Sequence, residues 1–186
     1  MTLFQNKFRI ESSRIKDFDY SSPSWYYVTI NTQNHVYSFG SVKNSKMILS
    51  DIGKIVNEEW LRTKKIRINI DLDHYVIMPN HFHGIIILNE TGNVETRRGV
   101  SLPYQNQNGN KFSKPITNSL SIIINQFKGS VKRWCNKNGH SSFKWQPLFY
   151  DHIIRNEKEL YKIRKYIADN PLKWEIEREN SKNLVL

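Results

Sequence analysis

The segment Tyr75-Val76-Ile77-Met78-Pro79-Asn80-His81-Phe82-His83-Gly84-Ile85-Ile86-Ile87-Leu88 constrains this chain more than any other. Its end, Ile85 to Leu88, is too rich in β-branched residues to favour helix and reads as a buried strand. Alternate residues of a strand share a face, so His81 and His83 project together while Phe82 points the other way. Two imidazoles on one face can grip one metal ion. Histidines beside a core strand can equally be packed and hydrogen-bonded, so the spacing alone leaves both roles open.

A length of 186 residues suits one domain with a real core and is small for two. Lys and Arg number 28 against 17 Asp and Glu, a net charge of +11 that makes nucleic acid the leading partner. No charge-free apolar run reaches the roughly 18 residues of a membrane span, and Met1 to Ile10 mixes charge with apolar residues, unlike a signal peptide. The expectation is a soluble, cytoplasmic protein with no membrane partner. The single Cys135 excludes an internal disulfide and a multi-cysteine zinc site.

Residues 1–24 read as a basic N-terminal arm. Trp25 to Ile30 is the first strand, and Val36 to Phe39 is its expected hairpin partner across the turn residues Asn31 to Asn34. Ser50 or Asp51 can cap a helix in which Ile52, Ile55, Val56 and Trp60 recur at helical spacing. Ile66 to Ile70 and His74 to Met78 supply strand material. Residues 89–116 are polar and rich in Gly and Asn, which predicts a flexible connection. A helix over about 118–136 follows, its stripe formed by Leu120, Ile124, Phe127, Val131 and Trp134. Lys128, Lys132, Arg133 and Lys137 crowd the C-terminal half of that helix, either as solvated charges offsetting the dipole or as contacts to DNA phosphates. Leu148 to Ile154 reads as an edge strand and Asn156 to Asn170 as a helix stopped by Pro171, with 172–186 as a tail. Pattern alone supports an α+β class.

The run Asp151 to Trp174, taken with the histidine triplet, resembles the single-tyrosine HUH transposases, specifically their REP-associated tyrosine transposase branch. In that family Met-Pro-Asn-His-hydrophobe-His-Gly carries the metal-binding histidines, and a helix ending Tyr-Ile-X-Asn-Asn-Pro carries the nucleophile. Met78 to Gly84 and Tyr166 to Pro171 match in the family's order, with Asp169-Asn170 where the branch commonly has two Asn. The resemblance extends to Arg9 to Arg14, Asp19 to Pro23, Lys46 to Leu49 and Trp145 to Pro147. It implies a ferredoxin-like antiparallel sheet with helices packed against it, the histidine pair on a central strand and the tyrosine helix beside it.

On a helical wheel Leu160, Ile163 and Ile167 form one apolar stripe, with Tyr166 and Asn170 one turn apart on its edge. If that edge faces the histidine strand, His81, His83 and Asn170 can converge on one divalent cation, Mg2+ or Mn2+, with Tyr166 beside it. A phenol so placed can attack a phosphodiester, keeping the 5′ phosphate as phosphotyrosine and releasing a 3′ hydroxyl. Tyr150 and Tyr161 are rival nucleophiles, and Tyr166 can also be a boundary residue. Asn170 can be a helix C-cap, and Asp169 an alternative ligand. Arg14 and Arg155 join the α-helical cations as candidate DNA contacts. The implied partner is single-stranded DNA with hairpin structure, and the implied location the nucleoid of a bacterial cell. A homodimer stays open, since the family contains monomers and dimers. Three other functions compete: a replication-initiator endonuclease, a non-catalytic hairpin-binding protein, and a zinc hydrolase using His81, His83 and His152.

Overall fold

The computed structural model describes residues 3–4, 7–8, 18–90 and 119–183. Two short N-terminal strands, β1 (Leu3–Phe4) and β2 (Lys7–Phe8), pair antiparallel. The remaining order is β3 (Ser24–Asn31), β4 (Gly40–Lys43), β5 (Lys46–Leu49), α1 (Asp51–Lys65), β6 (Ile70–Ile77), β7 (His81–Leu88), α2 (Leu120–Lys137), β8 (Tyr150–Ile154) and α3 (Glu157–Asn183). Strands β6, β7, β3 and β8 lie in that order in one antiparallel sheet. With α1 linking β3 to β6 and α2 linking β7 to β8, this is the βαββαβ ferredoxin-like arrangement, and the histidine strand β7 is central.

Period-two alternation sorts the two faces. Tyr26, Val28 and Ile30 of β3 and Phe82, Ile86 and Leu88 of β7 meet Val56 and Trp60 of α1 and Ile124, Phe127 and Val131 of α2 in the main core. Trp60 packs on Phe82 at 4.6 Å between ring centres, close enough that Gly84, the next residue on that face, has no room for a side chain. The other face carries Ile85 and Ile154, which α3 covers with Ile167, Leu160 and Ile163. Strand β7 is thereby buried on both sides, which accounts for its unbroken apolar run.

Helix α1 starts where expected: the Ser50 hydroxyl accepts from Gly53 N–H at 3.1 Å while donating to the Ser38 carbonyl at 2.7 Å. Two expectations are corrected. Residues 36–39 form no hairpin with β3, because both edges of β3 are taken by β7 and β8; the hairpin is β4–β5, turning through Asn44 and Ser45, both at positive φ. Nor does Pro171 end the last helix, which continues to Asn183 in place of the expected tail. Proline removes only one N–H donor, and tertiary contacts hold the turns beyond it. The Glu175 carboxylate accepts from the backbone N–H groups of Asn44 and Ser45 at 3.0 and 2.7 Å, and Trp174 packs on Tyr37 and His81. Most of the arm expected over 1–24 and of the connection over 89–116 lies outside the described residues. No helix among the described residues is long and apolar enough to cross a membrane.

Candidate active site

Strands β3 and β7 pair with Thr29 opposite His83 and Asn31 opposite His81, so the even alternation that buries Tyr26 and Val28 sends Tyr27, Thr29, His81 and His83 to the face under α3. The two imidazole rings stand 4.6 Å apart. His83 is 4% exposed. Its Nδ1 is bonded by the Tyr27 hydroxyl at 2.7 Å and the Thr29 hydroxyl at 2.9 Å. Its Nε2 is buried and has no hydrogen-bond partner among the described residues. A buried N–H without an acceptor is costlier than an unfilled lone pair, so the proton belongs on Nδ1 and Nε2 is left as a free donor atom for a metal.

His81 takes the same tautomer by another route. Its Nδ1 lies 2.7 Å from the Asn80 Oδ1, which can only accept, so Nδ1 carries the proton. The orientation of that amide follows from its other end, where Nδ2 donates to the His35 carbonyl at 3.2 Å. Burial, with His35 nearby and opposed by the hydrogen bond with Asn170, lowers the His81 pKa to about 4. Burial and the neighbouring His81 lower that of His83 to about 3. Both imidazoles are therefore neutral near pH 7, the form that binds metals.

Helix α3 supplies the rest. Asn170 is buried against His81, while Tyr166, one turn earlier and 42% exposed, stands at the mouth with its ring 5.3 Å from that of His83 and 6.5 Å from that of Tyr27. The Lys173 ammonium sits 5.1 Å over the Tyr166 ring. The angle of α3 is pinned by Arg164, whose Nε and Nη2 both donate to Asp73 Oδ2 at 2.9 and 2.6 Å. Asp73 lies where the β6–β7 register shifts between Leu72 and Tyr75, and that irregularity leaves its carboxylate free to face the helix.

Two neutral imidazoles, of which His83 has an unpartnered Nε2 and His81 meets Asn170, and one carboxamide are the donor types that could hold a divalent cation of the magnesium or manganese type. Among the described residues no three His, Cys, Asp or Glu cluster. His152, the third imidazole of the zinc alternative, shares this face but is bonded through Nε2 to Glu159 at 2.6 Å. Of the rival tyrosines, Tyr161 is well exposed on α3, and Tyr150 meets Tyr27 edge-on at 6.4 Å.

The cations of α2 expected to contact DNA divide into two pairs. The helix packs on the sheet face opposite the histidines. Lys128, 8% exposed, donates to the carbonyls of Gln146 and Pro147 at 2.7 and 2.9 Å. Lys132 donates to those of Ser141 and Phe143 at 2.9 and 2.6 Å. These two ammoniums hold the loop leading to β8, each by two of its three N–H donors. Arg133, Lys137 and Arg155 are exposed, and Arg14 lies outside the described residues. Sequence reasoning missed Tyr27, Thr29 and Asn80. The strand alternation of Tyr27 and Thr29 opposite the buried Tyr26 and Val28 was the available signal. Trp174 was missed because the helix was expected to stop before it.

No family model matches this chain. A Haemophilus influenzae protein described as uncharacterized is 35% identical over 164 residues, covering 88% of this chain and 89% of that protein. Among solved structures, a REP-associated tyrosine transposase bound to a REP hairpin superposes with a TM-score of 0.55 at 18% identity, covering 88% of this chain and 74% of that one.

Proposed function

Because this chain belongs to the family of the uncharacterized Haemophilus influenzae protein and shares the fold of a REP-associated tyrosine transposase, we propose that it nicks and rejoins single-stranded DNA at hairpin-forming repeats through Tyr166. The observation that carries this reading is the convergence of Tyr166 from α3 with the bare Nε2 of His83 from β7 at the open edge of one buried site. The basic surface, net charge +11, suits a polyanionic strand.

In this reading the Tyr166 oxygen attacks phosphorus. The new O–P bond forms as the bond to the 3′ oxygen breaks, leaving a 5′ phosphotyrosine and a 3′ hydroxyl. The phenol loses one proton and the leaving oxygen gains one, so the step is neutral in protons, and rejoining reverses it without an external energy source. His81, His83 and Asn170 would hold a divalent cation, which would supply positive charge to the phosphate oxygens as charge develops. Tyr27 and Thr29 keep the His83 proton on Nδ1. Asn170 and Tyr166, four residues apart on one helix, keep ligand and nucleophile in fixed relation. The Asp73–Arg164 pair keeps that helix seated.

The test is Tyr166→Phe, which keeps the ring's packing and removes only the oxygen. The parent, incubated with hairpin DNA and manganese, should give a covalent adduct on denaturing electrophoresis, and the variant should bind the same DNA without cleavage or adduct. Full cleavage by Tyr166→Phe, or an adduct mapped to Tyr150 or Tyr161, would overturn the assignment.

A further inference from the structure

The site above leaves a formed cavity unused. It has a volume of about 560 Å³, within the range of small-ligand pockets, and lies between residues 33–38, residues 140–144 and the start of α1. Its walls are built rather than incidental. The Gln33 N–H donates to the Lys144 carbonyl at 2.9 Å, and Thr32 bridges to Trp145, so the two loops are zipped together. Asn34 and His35 both adopt a left-handed conformation at φ 53°, a bend that Asn80 holds through the His35 carbonyl.

The lining offers what a nucleobase needs. Gln33 and Asn34 bring two exposed carboxamides, which offer the donor and acceptor pairs that base edges present. Tyr37, 65% exposed, brings a stacking surface. Lys144 and the Asp51 carboxylate, which Lys54 pairs at 2.9 Å, also line the cavity. A ledge of aromatic rings joins this cavity to the metal-ligand pair: Tyr37 lies 5.5 Å from Trp174, and Trp174 lies 5.7 Å from His81.

We propose that this cavity takes one unpaired nucleobase of the DNA strand whose phosphate lies at His81 and His83, with Tyr37 and Trp174 as the stacking ledge between them. The assignment rests on the DNA-processing reading of the site and adds to it a point of base discrimination.

The test uses the full chain and fluorescein-labelled 12-mers of deoxythymidine, deoxyadenosine, deoxycytidine and abasic sugar, all of equal charge. The parent should bind the best homopolymer roughly tenfold more tightly than the abasic strand, the scale of a stacked base. Ser142→Trp, which plugs the cavity from an exposed position, should bring that homopolymer close to the abasic strand and leave abasic binding unchanged. Gln33→Ala should change the ranking of the three homopolymers. Parent-like binding of every strand by both variants would overturn the proposal, as would displacement of the 12-mer by micromolar thymidine monophosphate, which would make the ligand a free nucleotide. Tyr166 adduct formation is scored separately. Base selectivity lost on plugging in a protein that forms no adduct supports the cavity and sinks the nicking reading; an adduct-forming parent whose selectivity ignores the plug does the reverse.

Discussion

Asn80 accepts the Nδ1 proton of His81 at 2.7 Å and, through the other end of the same amide, donates to the carbonyl of His35 in the loop that walls the cavity. One buried side chain thus sets the tautomer of a metal-ligand candidate and the shape of its neighbouring loop.

Replacing Asn80 with Ala should therefore weaken manganese binding by about 10- to 100-fold, the usual cost of losing a group that orients a ligating histidine. Asn80→Asp keeps the acceptor for His81 but not the donor for His35, and should retain more of the affinity. Calorimetric titration of manganese decides this, and equal affinities in all three proteins would reduce Asn80 to a loop brace.

Burial holds the His81 and His83 pKa values at about 4 and about 3, below the ordinary 6.5. Between these values the unfolded chain takes up protons that the folded chain refuses. The stability concerned is complete above about pH 6.5 and is lost as pH falls toward 4 and 3. The metal-free protein should melt at progressively lower temperature from pH 7 to pH 4.5, and the double variant His81→Asn, His83→Asn should lose less over the same interval. Parallel Tm profiles would show that these imidazoles are not the groups responsible.

Lys128→Ala should destabilise the fold by about 1–3 kcal/mol, since it orphans the carbonyls of Gln146 and Pro147. The exposed Arg133→Ala should stay within about 0.5 kcal/mol of the parent. Urea denaturation measures both. DNA affinity of the folded Lys128 variant should match the parent, and a large loss of affinity at unchanged stability would return Lys128 to the DNA surface.

Gly84→Ala should cost about 1–3 kcal/mol by overpacking, because a Cβ there would stand 2.7 Å from Phe82 and 2.8 Å from Trp60. The clash lies on the sheet face opposite His83, so manganese affinity of the folded variant should be unchanged. A parent-like urea midpoint would mean that Trp60 yields freely.

The local parts of this architecture were legible in the chain because local physics decides them. The β-branched run after His83 dictated a strand, the 81/83 spacing a shared face, Ser50 a helix start, and the 166/170 spacing a common helix edge. Their assembly depended on contacts between segments far apart in sequence. Which strands flank β3 was settled by burial on both faces, and so the local hairpin expected at 36–39 gave way to pairing with β7 and β8. Whether the helix survives Pro171 was settled by Glu175 gripping a turn about 130 residues earlier, an energy no local pattern carries. Lys128 and Lys132 look like solvated cations in any window of sequence, and only the carbonyls of the 141–147 loop turn them into internal braces. The residue types of the proposed metal and phosphoryl chemistry are written in the sequence, but a bare Nε2 on His83, a fixed tautomer and a phenol beside them exist only once strand, strand and helix are packed, because each depends on partners that the chain brings from elsewhere.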